Sequence, residues 1–360
     1  MVNVLHVYPR FGNAGTEMVI TNLMSAMDSN FVHFDFCAMC EGSKDTYFRE
    51  QGSKFFYVPN SKNYEQSLAE FFRSHPEYRI IHTHTHKEMG IVLKAAARAG
   101  VPIRIAHSHN SRADLPKWIK VYKYFTSRGI EKYATHYIAC SSDAAAWLFP
   151  RNKDKCAIWK NGISIERFAF NDEARTRIRA QYGIKDEDRV ICHIGRFARQ
   201  KNHEFIVDVL NELMKADPSI HAFLVGSGPL EDEIKEKAKC SNIHFLGSRN
   251  DVPDILSASD LFFFPSLWEG LGIVAVEAQV SGLQCLASDM VPEEADVGLG
   301  LFKRIKLSEP QSNWIDEIKK RLEAKVDRKK IAADAVQSAY NIDSVARNAQ
   351  KFYLECGRDK

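Results

Sequence analysis

The chain of 360 residues lacks several features that mark particular classes of protein. No apolar run is long enough to cross a bilayer, and Met1–Val7 enters a strand-like pattern without the basic stretch and cleavage site of a signal peptide. A net charge of +3 is too small to indicate nucleic acid as the main partner. We therefore expect a cytoplasmic protein that has no transmembrane segment and binds no nucleic acid.

Cysteine is sparse, with eight residues at positions 37, 40, 140, 156, 192, 240, 285 and 356. Cys37 and Cys40 form the one close pair, and no second pair completes a zinc site. Because several of the cysteines lie in apolar runs, we interpret them as reduced residues of the core.

What the chain does have is a regular alternation of strand-like and helix-like apolar segments, which is typical of α/β proteins with parallel sheets. A polar stretch at 150–155 interrupts the series, which resumes at Val190. The predicted strands are Val4–Tyr8, Val32–Ala38, Phe55–Val58, Ile80–Thr83, Ile103–Ser108, His136–Cys140, Val190–Ile194, His221–Val225, Ile243–Leu246, Leu261–Phe264 and Gln284–Ala287.

This pattern predicts two doubly wound domains, at residues 1–165 and 166–340, that face a central cleft. A C-terminal helix at about 341–360 would cross back and complete the first domain. Since ligands of such sheets bind at the carboxyl ends of the strands, the motifs at those ends are the candidate site.

One strand end carries two carboxylates on either side of two glycines. Glu269 lies in the loop after Leu261–Phe264, and Glu277 lies on the helix that begins near Gly272. The free N–H groups of a helix start can bind an anion, while carboxylates accept hydrogen bonds from hydroxyls. The motif favours a phosphate with sugar hydroxyls, and the alternative is a turn with two solvated glutamates.

Three further strand ends of the second domain carry glycine or cations. Gly195 and Arg196 follow one strand and Lys201 comes in the same loop, which together could hold a diphosphate. Gly226 and Gly247 end the next two strands. Each motif alone also fits an ordinary surface loop, but their shared position at one edge of a sheet favours a ligand site.

In order and spacing, Gly195-Arg196 with Lys201, the segment 226–229 and the segment 269–277 resemble the C-terminal domain of GT-B retaining glycosyltransferases of family 4 (group 1). Segments 104–110 and 159–168 are also similar to family segments, so the resemblance extends over almost the whole chain. Bacterial capsule and exopolysaccharide enzymes are the most similar in character.

The resemblance implies roles for individual residues. Arg196 and Lys201 would hold the donor diphosphate, Glu277 the ribose hydroxyls, and Glu269 a hydroxyl of the donor sugar. The remaining donor-binding positions that the resemblance implies are Leu271, Gly272 and Ile273 at the sugar and phosphate, Gly247 and Arg249 at the base, and Gly226 and Gly15. With Arg196, Lys201 and the helix dipole after Gly272 at the departing diphosphate, we expect catalysis without a metal or another cofactor.

Histidines alternate at two strand ends of the first domain. His82, His84 and His86 would share one face of a strand, as would His107 and His109. A metal site is one interpretation and polar packing is the other; because no carboxylate or cysteine cluster accompanies them, we expect no metal. The resemblance implies that His109 reaches the donor sugar.

The first loop departs from the family pattern. The family usually has Gly-Gly-x-Glu where this chain has Ala14-Gly15-Thr16-Glu17, so Gly15 alone offers an unhindered backbone to phosphate. Ser164 stands where many family members carry aspartate, and we interpret the nearby Asn161 as a hinge-region residue.

The segment 115–128 mixes lysines with large aromatic residues. A basic amphipathic helix there could lie on an anionic membrane, and the alternative is an aromatic core face with solvated lysines. We accordingly allow for peripheral attachment to the inner face of the plasma membrane.

The motifs together with the resemblance predict a transferase that moves a hexose-type sugar from a nucleotide diphosphate donor, most simply UDP-linked; retained configuration is implied by the resemblance alone. The acceptor would be a hydroxyl of a glycan or polyprenyl-linked oligosaccharide in cell-surface polysaccharide synthesis. Two alternatives stay open, namely a nucleotide-sugar epimerase of the same fold and a non-catalytic GT-B partner subunit.

Overall fold

The computed structural model describes residues 1–12, 15–85, 88–111 and 129–358. The chain separates into two compact units. Unit 1 consists of Met1–Ile163 and Ile342–Lys360, and unit 2 of Ser164–Asn341. The boundaries expected from sequence, 165/166 and 340/341, lie close to these.

Unit 1 is built on a seven-stranded parallel sheet of order β3-β2-β1-β4-β5-β6-β7. Its strands are β1 (Val2–Tyr8), β2 (Val32–Ala38), β3 (Phe55–Tyr57), β4 (Ile80–Thr83), β5 (Ile103–Ser108), β6 (His136–Ala139) and β7 (Ala157–Ile158). In the N-terminal segment of unit 1, the helices whose bounds lie within the described residues are α1 (Gly15–Ala26), α2 (Asp45–Glu50), α3 (Tyr64–Ser74), α4 (Met89–Arg98) and α5 (Ser142–Leu148).

Unit 2 repeats the plan with a six-stranded parallel sheet of order β10-β9-β8-β11-β12-β13. Its strands are β8 (Arg189–Ile194), β9 (Ile220–Val225), β10 (Ile243–Gly247), β11 (Leu261–Phe264), β12 (Gln284–Ser288) and β13 (Phe302–Ile305). Its helices are α6 (Ile165–Phe168), α7 (Asp172–Gln181), α8 (His203–Ala216), α9 (Glu231–Lys237), α10 (Val252–Ala258), α11 (Ile273–Val280), α12 (Gln311–Leu322) and α13 (Arg328–Ala335).

The chain returns to unit 1 in the helix α14 (Ile342–Arg358). Ala346, Ala349, Tyr353 and Cys356 on this helix are buried in the same apolar cluster as Val4 of β1. The amphipathic pattern of the C-terminal segment therefore has a structural cause, because one face of α14 closes the core of unit 1.

Both sheets reverse their strand order between their first and fourth strands, at β1 and β4 in unit 1 and at β8 and β11 in unit 2. The central strands β4 and β11 are buried along their whole length, as parallel strands covered on both faces must be. The doubly wound α/β architecture predicted from sequence is confirmed. A ligand of such a sheet sits at the reversal, where neighbouring loops diverge.

The cysteines depart in part from the prediction. All eight are free, and five of them are buried, but Cys40 is exposed and Cys156 and Cys240 are intermediate. The interpretation of the cysteines as core residues is therefore wrong for Cys40, because this residue follows the turn after β2 instead of lying in the strand.

The sequence predicts no membrane-spanning segment and allows for surface attachment through residues 115–128. Among the helices of the described residues, none is both long and apolar enough to cross a bilayer. Residues 115–128, for which surface attachment to a membrane is predicted, lie outside the described residues.

Candidate active site

Arg196 leaves the carboxyl end of β8 in a loop that is tied to the next strand end. The N–H of Gly195 donates to the carbonyl of Val225 at 2.9 Å, and that of Phe197 donates to Ser227 at 3.1 Å. The side chain of Arg196 is exposed, and no described residue forms a hydrogen bond with its guanidinium. A cation is thus held at the strand reversal with its donors available to an anion.

The backbone at this edge is too tightly packed for side chains at Gly226. Gly226 has a φ of +133°, and a Cβ there would lie 2.1 Å from the carbonyl oxygen of Gly195. Its N–H donates to the carbonyl of Gly247 at 2.8 Å. Glycine at this position therefore lets three strand ends of unit 2 come together.

Lys201 and Glu269 form an ion pair across the reversal, with Nζ 2.6 Å from Oε1. Both side chains are largely buried, and Nζ also lies 4.6 Å from the centroid of the Phe264 ring. Sequence reasoning gave the two residues separate roles in one site, and the structure brings them into direct contact. A buried pair of this kind fixes both side chains in place.

Two residues that sequence reasoning did not single out align the loops that carry this pair. The N–H of Leu267 donates to the carbonyl of Gln200 at 2.8 Å, and the Gln200 side-chain amide donates to the carbonyl of Trp268 at 3.0 Å. Asn202, in the left-handed conformation at φ +58°, donates from its side chain to Pro265. A non-glycine residue that is suited to a left-handed turn is the one signal that could have found Asn202.

Gly272 is the N-cap residue of α11 and has a φ of +81°. A Cβ there would lie 2.8 Å from the Phe264 ring, so glycine is required both by conformation and by space. Leu271 is buried, and Ile273 is the first residue of the helix. The first N–H groups of a helix have no acceptor within it, which makes this turn suitable for an anion.

Glu277, on the same helix, is half-buried. Burial raises its pKa to about 8, and the Arg167 guanidinium opposes that rise. In the absence of ligand the carboxyl group is therefore mostly protonated at neutral pH.

Arg249, predicted at the base-binding loop, is engaged by a neighbour. Its Nε and Nη2 donate to the two oxygens of Asp251 at 2.8 and 2.6 Å. This pairing raises the pKa of Arg249 and lowers that of Asp251. Gly247, with φ +64°, has open space where a Cβ would be, so the loop can be approached through its backbone.

The first loop of unit 1 places Gly15 at the first turn of α1. A Cβ on Gly15 would meet nothing within 4 Å. Glu17 is buried and accepts a hydrogen bond from the N–H of Gly12 at 3.2 Å, and burial raises the pKa of its carboxyl. Ala14 lies outside the described residues.

Five histidines meet at the carboxyl ends of β1, β4 and β5. The prediction that three imidazoles share one strand face needs correction, because β4 ends at Thr83; His84 follows the strand, and His86 lies outside the described residues. His109 follows β5, and its Nε2 lies 2.8 Å from Nδ1 of His84.

His6 of β1 is the member of this cluster that sequence reasoning missed. Its Nδ1 lies 3.0 Å from Nε2 of His84. The strand register, which pairs His6 with His82, is what places it there. Only a prediction of which strands are neighbours could have found it.

The comparisons with known proteins identify first the class and then the family. HepE of Anabaena, solved in complex with UDP, superposes with a TM-score of 0.82 at 18% identity over 99% of this chain and 100% of that one. Likeness at this level shows the fold, which is GT-B, as predicted. A model described as Glycosyltransferase Family 4 matches residues 14–167, and one described as Glycosyl transferases group 1 matches 174–337.

Two relatives extend the match. EpsF of Bacillus subtilis (strain 168), described as a glycosyltransferase, is 34% identical over 88% of this chain and 86% of its own. The UDP-Gal:alpha-D-GlcNAc-diphosphoundecaprenol alpha-1,3-galactosyltransferase of Escherichia coli is 28% identical over 71% of this chain and 72% of its own. The chain belongs to glycosyltransferase family 4 (group 1), and the protein is a glycosyltransferase.

Proposed function

We propose that the protein transfers a hexose-type sugar from a UDP-linked donor to a hydroxyl of a glycan or lipid-linked oligosaccharide, with retained anomeric configuration, in the synthesis of a cell-surface polysaccharide. The observation that carries the proposal is the edge of the unit 2 sheet. There the exposed Arg196, the Lys201–Glu269 pair and the start of α11 meet at the strand reversal, with Glu277 on the same helix.

The relatives support the donor and acceptor classes. The Escherichia coli relative is named for a UDP-galactose donor and a diphosphoundecaprenol-linked acceptor, and the Anabaena structure contains UDP. A capsular polysaccharide biosynthesis glycosyltransferase, CapH of Staphylococcus aureus, is 23% identical over 98% of this chain and 99% of its own. These names favour a transferase over the epimerase and over the non-catalytic subunit.

The leaving diphosphate is the group that unit 2 is suited to stabilise. Arg196 provides a planar fork for phosphate oxygens, Lys201 adds a second cation, and the positive end of the α11 dipole lies at Gly272. This set supplies positive charge where negative charge develops, so we propose that transfer requires no metal ion or other cofactor.

Glu269 acts on the transferred sugar in this scheme. Lys201 holds its carboxylate in one place, from which it accepts a sugar hydroxyl and stabilises positive charge at the anomeric carbon. The acceptor hydroxyl attacks from the side of the leaving group and gives its proton to a phosphate oxygen. No lasting covalent link to the protein is formed.

The other residues bind the donor. Glu277 accepts the ribose hydroxyls, the backbone from Leu271 to Ile273 faces the sugar and phosphate, and the loop from Gly247 to Arg249 faces the base. Gly226 keeps the diphosphate edge open, and His109 and Gly15 of unit 1 contact the sugar and phosphate. A cytoplasmic location, and membrane attachment through residues 115–128, stay predictions.

The test is nucleotide release. The protein is incubated with UDP-, GDP- and ADP-hexoses with and without a polyprenyl-diphosphate sugar acceptor, and free nucleoside diphosphate and product configuration are measured. We expect UDP release that requires acceptor, survives EDTA and gives the retained anomer. An epimerase would convert the sugar without releasing UDP, and a non-catalytic subunit would do neither.

Substitutions connect that activity to the site. Arg196→Ala and Lys201→Ala should each lower kcat/KM, by an amount that corresponds to a loss of about 2 kcal/mol or more of transition-state stabilisation. Each substitution removes a charge-assisted bond to phosphate. Arg189→Ala is the matched control, since Arg189 is an exposed arginine at the opposite end of β8. Unchanged kinetics in both Arg196→Ala and Lys201→Ala would refute the diphosphate site.

A further inference from the structure

The histidine cluster of unit 1 consists of His6, His82, His84, His107 and His109. Their ring nitrogens form two groups: His82 Nε2 lies 3.1 Å from His107 Nδ1, and His84 contacts both His6 and His109 at 3.0 and 2.8 Å. The two groups stack on each other, with ring centroids 4.3 Å apart for His82 and His84 and 4.0 Å apart for His107 and His109. Tyr353 of α14 bonds to Nδ1 of His82 at 2.7 Å. The proposed transfer reaction uses only His109 of these five.

Two overlapping triads in this cluster have the spacing of metal ligands. In His84–His107–His109, and again in His6–His82–His84, one nitrogen of each ring lies within 4.8 Å of those of the other two. Three nitrogens bound tetrahedrally at about 2.0–2.1 Å from a zinc ion are roughly 3.3 Å apart. Small ring rotations therefore suffice to seat an ion.

Access favours the triad His84–His107–His109. These three residues line a cavity of about 90 Å³ together with Tyr8, Thr16 and Asn110, and His109 is partly exposed. All three members of the other triad are buried. All five histidines line a cavity of only about 20 Å³, which has room for a single water-sized species, whereas His6 and His82 do not reach the larger one. Among the described residues, the outer triad is thus the one with space for a fourth ligand.

The hydrogen bonds of the cluster are compatible with an ion if the contact between His84 Nδ1 and His109 Nε2 is replaced by bonds from both nitrogens to the metal. Nε2 of His107 is buried and bonds to no described residue, while its Nδ1 faces His82. His82 can therefore hold the His107 ring so that Nε2 of His107 points away from it. His6 can likewise hold the His84 ring, through the contact between Nδ1 of His6 and Nε2 of His84. Neighbours that fix the tautomer and orientation of ligating imidazoles are typical of metal sites.

The chemistry of the ligand set indicates the kind of ion. An all-imidazole set favours zinc and other late first-row ions over Mg²⁺, which prefers oxygen ligands.

We propose that His84, His107 and His109 bind one divalent transition-metal ion, Zn²⁺ in particular, with the fourth position open to the cavity lined by Tyr8, Thr16 and Asn110. This site is separate from the metal-free stabilisation of the diphosphate by unit 2. A consequence rests on the proposed function: since His109 is assigned to the donor sugar, Zn²⁺ on His109 inhibits transfer.

The test uses the full chain, freed of metal with EDTA and titrated with Zn²⁺ by calorimetry and with Co²⁺ by visible absorption. We expect one site per chain, a tetrahedral Co²⁺ spectrum and no binding of Mg²⁺. His109→Ala and His107→Ala should each weaken Zn²⁺ binding roughly 100-fold or more. His33→Asn, on β2 of the same sheet but outside the cluster, is the control that should bind like the wild type.

Three outcomes would overturn parts of the proposal in distinguishable ways. Absence of Zn²⁺ binding, or binding that His109→Ala leaves intact, removes the site, while UDP release tests the proposed function independently. Loss of binding in His6→Asn with retention in His109→Ala would place the ion at the inner triad instead. One-to-one binding without inhibition of UDP release would leave the metal site standing and remove the role of His109 at the sugar.

Discussion

At the scale of residues, Glu277 couples the candidate donor site to stability. Its pKa is raised from 4.5 to about 8, chiefly by burial. Between those values the folded state holds a proton that the unfolded state has lost, so the carboxyl group makes folding less favourable as pH rises through this window. A group that is retained despite such a cost is a candidate for a role in binding.

Glu277→Gln should separate the two effects. The amide does not ionise, so we expect the melting temperature of the variant to rise relative to wild type between about pH 5 and pH 8.5 and then level off. Affinity for UDP should fall, because hydrogen bonds from the ribose hydroxyls favour the ionised carboxylate, a form that the amide cannot adopt. Scanning calorimetry across pH and UDP titration measure the two.

Glu236→Gln, an exposed substitution on α9, is the control for the effect of removing one charge. A difference between Glu277→Gln and wild type that does not change with pH would contradict the assigned pKa. Unchanged UDP affinity would contradict the role at the ribose.

The residue scale also shows what sequence could not supply. The candidate residues of unit 2 come from strand-end motifs and from the family resemblance, but the Lys201–Glu269 ion pair joins residues 68 positions apart. It depends on the hydrogen bonds between Gln200 and the loop after β11, which no local pattern encodes. Arg249 likewise forms a hydrogen-bonded ion pair with Asp251, two residues away, and this pairing could not be predicted from composition.

At the scale of elements, the strand ends of unit 2 depend on two kinds of glycine. Gly226 and Gly247 both have positive φ, but only Gly226 has backbone in the place of a Cβ. Glycine is required at position 226 both by the backbone conformation and by the close approach of neighbouring backbone. At position 247 it is required by the backbone conformation alone.

Alanine substitution should reveal this difference. Gly247→Ala should cost about 1 kcal/mol, the usual cost of a left-handed alanine. Gly226→Ala should cost at least about 2 kcal/mol more, because the strand ends of β8 and β9 must also separate. The free energy of unfolding from denaturant titration measures both, and equal losses would refute the steric argument.

Most strands were predictable because buried parallel strands appear as apolar runs; β4, β5 and β11 were predicted with the bounds observed. The sequence prediction missed β7 and β13, which lie at the edges of their sheets. The two residues of β7 are exposed, and β13 is at most half-buried, so neither carries a continuous apolar run. The edge strands β3 and β10, which do carry apolar residues, were predicted, so the lack of an apolar run is what hid β7 and β13.

At the scale of the whole molecule, unit 2 is one uninterrupted segment of the chain, 164–341, whereas unit 1 needs α14 from the C-terminus. The N–H of Ile342 donates to the carbonyl of Ile163 at 3.0 Å, so the chain leaves and re-enters unit 1 at adjacent points. The return of a C-terminal helix was predicted together with the two-domain fold. This contact was not, because it joins distant parts of the chain through backbone atoms.

This organisation predicts that the fragment 164–341 folds alone and binds UDP. Arg196, Lys201, Glu269 and Glu277 all lie within it, as do the loops assigned to the base and phosphate, so its affinity should stay within about tenfold of that of the full chain. Because His109 and Gly15 belong to unit 1, the fragment should not transfer sugar. Circular dichroism with cooperative melting establishes folding, and calorimetry measures UDP binding.

The fragment with Arg196→Ala is the control and should lose most of that binding, since no residue of unit 1 is present to compensate. A folded fragment that fails to bind UDP, beside a full chain that does bind it, would mean that unit 1 supplies essential nucleotide contacts. The division of labour would then be wrong even if every residue assigned in unit 2 contributes. Binding by the fragment without transfer would instead assign recognition of the nucleotide to unit 2 and make unit 1 necessary for the reaction.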